Sequence, residues 1–167
     1  MATHASPVAP HEVSHSEPPR AEFKRNTTQT ISLIVGFLLF VLGLSGLLTP
    51  SFMGLHLSVL HSLIITAAGL SLFYNGYRAN QRASYHTCLG FGLFFALLSA
   101  AGFLFGRPGQ PQVGFERPDE RLLRIIPGFQ ELATLDHIVH AVIAVVLLGG
   151  AYDWWRGHHG KGPLINY

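Results

Sequence analysis

Val35-Gly36-Phe37-Leu38-Leu39-Phe40-Val41-Leu42-Gly43-Leu44-Ser45-Gly46 returns later in the chain as Leu89-Gly90-Phe91-Gly92-Leu93-Phe94-Phe95-Ala96-Leu97-Leu98-Ser99-Ala100. Gly, Phe, Leu, Phe, Leu and Ser match at an offset of 90 − 36 = 54. Further on, His61 and His140 each open an apolar run, at an offset of 140 − 61 = 79. The offsets differ by 79 − 54 = 25, about the extra length of the loop after Phe105 over the one after Leu48. Two copies of an apolar hairpin predict an all-α integral membrane four-helix bundle of two tandem helical hairpins. Two crossings return the chain to its starting side, so the repeat is parallel, with a pseudo-two-fold axis along the membrane normal.

Composition agrees. The chain has 167 residues, 49% hydrophobic and 12% charged, with mean hydropathy +0.33. Soluble domains carry roughly a quarter charged residues. The charges cluster between four apolar stretches, about 31–48, 52–74, 88–105 and 133–152, none holding Lys, Arg or Glu. Each is about the length that crosses a ~30 Å hydrocarbon core as a helix, which satisfies its own backbone hydrogen bonds in lipid. A net charge of +2 without a Lys/Arg block argues against nucleic-acid binding. The single Cys88 excludes an internal disulfide.

Residues 1–27 are rich in Pro, Ser, His and Glu and are expected to form a disordered cytoplasmic tail. The first apolar run lies too deep for a signal peptide and lacks a cleavage pattern. The membrane domain spans 28–157, with an outer loop at 106–131, and 158–167 is a short C-terminal tail. Arg20, Lys24, Arg25, Arg78, Arg82, Arg156 and Lys161 fall on one side, while the arginines of the long loop are interleaved with acids. The positive-inside rule then places the protein in the cell inner (plasma) membrane with both termini cytoplasmic. Tyr74, Tyr77, Tyr85, Trp154 and Trp155 share that inner interface. In the loop, Pro118 and Pro127 bound the short amphipathic stretch Glu120–Ile126, which is expected to lie along the membrane surface with its Leu and Ile pairs down.

Glycines 36, 43 and 46, and Gly90, Gly92, Ala96, Ala100 and Ala101, make small-residue faces on the first and third helices. Such faces pack helices closely, within the bundle or against another protein.

His56, His61, Asp136, His137 and His140 lie near the outer ends of the second and fourth helices. Ionisable residues there face the bundle interior and are candidates for function. One account is structural: neutral His61 and His140 are hydrogen-bonded to a carbonyl, to a serine or to each other. Asp136, at i to i+4 from His140, would be favoured by the helix dipole, with Thr134 as N-cap. In a second, His61 and His140 ligate a non-covalent haem b between the hairpins. In a third, His56, Asp136 and His137, with the other two histidines, hold a divalent ion. A proton relay is the fourth. No nucleophile elbow, zinc-protease motif or Walker loop is present.

The run Ile126-Pro127 to Leu135-Asp136-His137-Ile138-Val139-His140, ending in Leu147-Leu148-Gly149-Gly150, resembles the last helix of the small bacterial DUF4383 membrane proteins. Val59-Leu60-His61 resembles the corresponding run on their second helix. The resemblance covers roughly residues 30–155 and implies a four-helix membrane protein with no catalytic activity. The chain departs from the pattern at His137, where Asn is usual, and at Ser62 and Ala141, where Leu is usual. His56 is no part of it, so a metal site built on His56 and His137 gains nothing from the resemblance. The expectation is a non-enzymatic multi-pass protein, structural or accessory. It would lie in the lipid bilayer, pack with other membrane protein subunits or itself, and need no cofactor. The alternative is a haem- or metal-binding electron-transfer subunit.

Overall fold

The computed structural model describes residues 26–49, 51–52, 55–78, 80–112 and 118–159. The expected N-terminal tail lies outside them, apart from Asn26 and Thr27. So do residues 160–167.

Four helices dominate: α1 (Thr27–Leu48), α2 (Val59–Tyr77), α3 (Gln81–Phe105) and α4 (Thr134–His159). All are long and apolar enough to cross a membrane. Asn26 and Gln29 start α1 with a reciprocal capping box, each side chain accepting from the other's backbone N–H at 2.9 and 3.0 Å. Thr49 ends it in an extended conformation, as the residue before a proline must. The Asn80 side chain caps α3 by accepting from the Ala83 N–H at 3.0 Å.

The second helix starts at Val59, later than expected. Before it, β1 (Ser51–Phe52) and β2 (Leu55–His56) form a small antiparallel hairpin. The longer connection holds a three-stranded antiparallel sheet ordered β3 (Arg107–Gly109), β4 (Asp119–Ile126), β5 (Gln130–Leu132). The short amphipathic stretch Glu120–Ile126 is therefore part of strand β4. Seven residues are too few to repay helix nucleation alone, whereas the ladders to β3 and β5 give their backbone groups partners. Pro127 and Gly128 turn the chain into β5. Gly128 has φ 77°, and the Phe129 N–H donates to the Ile126 carbonyl at 3.0 Å, as in a type II turn.

Within the bundle α1 packs chiefly on α2, and α3 on α4. Gly36 and Gly69 let the α1 and α2 backbones touch. A Cβ on Gly36 would strike the Phe73 backbone, and one on Gly69 the Phe40 backbone. The α1 glycines thus serve internal packing, while Gly90 on α3 faces open space.

Every buried position of α3 has a buried counterpart in α1 at an offset of 56: Thr28 and Ser84, Ser32 and Cys88, Gly36 and Gly92, Leu39 and Phe95, Gly43 and Ser99, Gly46 and Gly102. Between α2 and α4 the offset is 75: His61 and Asp136, Ser62 and His137, Ile65 and His140, Gly69 and Ala144, Leu72 and Leu147, Gly76 and Ala151. Contacts follow the same register. A Cβ on Gly36 would meet Phe73, and one on Gly92 would meet Leu148; Gly46 likewise faces Ser62, and Gly102 faces the His137 ring. The offsets of 54 and 79 read from sequence are therefore not the packing offsets. Gly36 matches Gly92 rather than Gly90, and His61 matches Asp136 rather than His140.

Candidate functional site

Polar side chains gather where β2, β4 and β5 close over the ends of α2 and α4. His56, His61, Glu131, Asp136, His137 and His140 are all at most 2% exposed.

The backbone of His56 ties the cluster together. Its N–H donates to both Asp136 carboxylate oxygens at 3.2 and 3.3 Å. Its carbonyl accepts from His61 Nδ1–H at 2.9 Å. Asp136 also accepts from the Ala133 N–H at 2.7 Å. Ala133 precedes the helix, so Asp136 satisfies an orphan donor at the start of α4. Thr134, expected to be the N-cap, is instead the first helical residue. Its N–H and hydroxyl donate to the Asp119 carboxylate at 3.1 and 2.7 Å.

His137 Nε2–H donates to the Arg121 carbonyl at 2.8 Å, and the Ser99 hydroxyl donates to the His137 carbonyl at 2.8 Å. His140 lies across the bundle from His61, with Nε2 to Nε2 at 3.4 Å. Their rings meet edge to face, with centroids 5.4 Å apart at 71°, and His140 stacks on Phe95 at 5.2 Å.

Glu131, fully buried on β5, accepts from the Gln112 N–H at 2.8 Å and lies 3.3 Å from Arg124 Nε, its cross-strand neighbour. Oε1 is the oxygen beside Arg124, and Oε2, which takes the Gln112 N–H, is also 3.8 Å from His56 Nε2. Burial holds the His56 imidazole below its usual pKa, outweighing the opposing pull of Glu131 and Asp119.

Sequence reasoning named His56, which lies on β2, with His61, Asp136, His137 and His140 on α2 and α4, and the structure brings the five to one end of the bundle. It missed Glu131, Asp119 and Ser99. The Pro127-Gly128 turn was the available signal, because a hairpin there sets Glu131 opposite Arg124.

The cluster does not fit a haem. Imidazoles gripping one iron from opposite faces have the macrocycle between them. Here the two rings touch, and the cavity they line with Asp136 and Leu57 measures about 10 Å³, room for about one water. The trio His56, Asp136 and His137 does not converge either: Asp136 is turned to backbone N–H groups, and His137 Nε2 to the Arg121 carbonyl. Among the described residues, no group of three or more His, Cys, Asp or Glu could hold a metal ion.

The chain matches no protein-family model, no curated protein and no solved structure.

Proposed function

We propose that the chain is an integral membrane protein of two hairpins in a common register, with a structural or accessory role: a small multi-pass subunit that packs with other membrane proteins or with itself. The observation that carries this is the outward face of the bundle. Only 28% to 39% of each helix's most apolar window is buried within the protein. Leu38, Leu97, Leu104, Val142 and Val145 point away from the core, while the ionisable side chains of the cluster point in. Lipid and neighbouring helices are the surroundings such a surface needs. The shared packing register supports a parallel internal repeat, and the Lys/Arg distribution supports cytoplasmic termini in the inner membrane. Membership of the DUF4383 family is part of the proposal and rests on the residues quoted for it. No reaction is assigned.

Two measurements test the proposal. In a Cys88→Ser background, Gln110→Cys should react with a membrane-impermeant reagent on intact cells, and labelling only after permeabilisation would invert the topology. In mild detergent extracts of native membranes, the protein should run in a particle of fixed composition larger than one 18.3 kDa chain in its micelle. A lone monomer in those extracts would defeat the accessory role.

A further inference from the structure

His86 is exposed on the outside of α3, unlike the histidines of the buried cluster. It lies five residues past Gln81, about 7.5 Å along the helix axis, in a helix long and apolar enough to cross a membrane. Its ring meets Tyr85 edge to face, with centroids 5.0 Å apart. Neither ring nitrogen has a hydrogen-bond partner among the described residues. An ionisable side chain on the outward face of such a helix is costly unless the surroundings supply a partner.

Beside His86 lies a groove of about 350 Å³, lined also by Ile64 of α2 and by Thr87, Gly90, Phe91 and Phe94 of α3. Ligand clefts measure roughly 300–1,000 Å³ and are mostly apolar with a few polar groups. The Thr87 hydroxyl is already engaged: it accepts from Asn75 Nδ2 at 2.9 Å and donates to the Ala83 carbonyl at 2.6 Å. His86 is therefore the free polar side chain of the lining. Gly90 keeps the groove open, because a Cβ there would meet nothing within 4 Å.

The His86 end of the groove is the end nearer the α2–α3 connection, and it is basic. Arg82 is exposed one helical turn before His86 and pairs with no acid among the described residues. Arg78, at the close of α2, donates to the Tyr74 hydroxyl at 3.0 Å. No Asp or Glu occurs from Asn26 to Phe115. The described acid at this end of the bundle, Asp153, is on α4. An anionic head and an apolar chain complement the two ends of the groove.

We propose that the groove takes one acyl chain of an anionic phospholipid from the leaflet at the α2–α3 connection. The phosphate accepts hydrogen bonds from His86 and Arg82. Basic pockets between membrane helices bind such headgroups. The site rests on the membrane reading above and adds to it one preferred lipid at one place.

The full-length protein, purified in detergent and stripped of lipid, is titrated with phosphatidylglycerol or with phosphatidylcholine carrying the same chains. Native mass spectrometry counts bound lipid. One phosphatidylglycerol should bind the parent more tightly than phosphatidylcholine does. Arg82→Gln should weaken phosphatidylglycerol about 5-fold, the effect of one basic residue at an anionic headgroup, and leave phosphatidylcholine unchanged. Gly90→Leu fills the groove and should displace the chain. Gly149→Leu is the control, because Gly149 also meets nothing within 4 Å but is no part of the lining. Both leucine variants should melt with the parent. The assignment is overturned if the parent holds the two lipids equally, if Arg82→Gln leaves phosphatidylglycerol binding unchanged, or if Gly90→Leu retains that lipid as well as Gly149→Leu does. Failure of the membrane reading itself would look different, since the parent would be recovered from cells without detergent.

Discussion

Asp136→Ala should be among the most damaging single substitutions in this protein. Its carboxylate accepts from two buried backbone donors, Ala133 N–H at 2.7 Å and His56 N–H at 3.2 and 3.3 Å. Alanine leaves both without an acceptor in a site that is 1% exposed. A buried group stripped of its partner costs about 1–3 kcal/mol, so two cost about 2–6 kcal/mol. Asp136→Asn keeps one carbonyl oxygen and should lose roughly half as much. Asp153→Ala, on the exposed face of the same helix, should stay within about 0.5 kcal/mol of the parent. Unfolding in detergent, followed by circular dichroism, gives the ranking. Hydrogen exchange gives the mechanism, because the Ala133 and His56 amides should lose protection together. If Asp136→Ala unfolds with Asp153→Ala, or those amides stay protected, the carboxylate is not what closes this end of the bundle.

Gly36→Val forces the α1 and α2 backbones apart, because even a Cβ strikes Phe73. It should cost about 1–3 kcal/mol or more, whereas Gly90→Val, facing open space, should be nearly silent in the same melts. A similar loss for both would contradict the packing register. His56 gives a pH dependence. Its folded pKa lies below the ordinary 6.5, so its contribution is complete above 6.5 and is lost as pH falls from there toward the folded value. Melting temperature should therefore drop more steeply between pH 7 and 5 in the parent than in His56→Gln, and parallel slopes would remove His56 as the cause.

Helix number and the inward histidines were legible because length, apolarity and the cost of ionisable groups in lipid act locally. The packing register of the helices was not. Offsets of 54 and 56 differ by two residues, about 200° of helix rotation, so alignment by letters set buried Gly36 beside outward Gly90. Outward-facing and core-facing positions are both apolar in these helices, and letters alone do not separate them. Offsets of 79 and 75 differ by four residues, about one turn. That error kept the face, and His61 and His140 were correctly expected inside. Strand β4 was hidden for another reason. Its partners β3 and β5 supply the hydrogen bonds, and nothing within Glu120–Ile126 announces them.

The two hairpins also imply an order of events as the chain is made. Ribosomes deliver α1 and α2 first, and their glycine seam closes without anything from the second half. At that stage the His61 Nδ1–H already has its acceptor, because the His56 carbonyl lies only five residues upstream. Asp136 likewise finds the Ala133 N–H three residues away as α4 begins. Each half can therefore enter its final surroundings with these donors and acceptors partly matched. The links between His61 and His140, and between His56 and Asp136, are left as the last stitches of biogenesis. Lesions confined to those links should yield a protein that matures slowly, with two well-formed halves that have not locked.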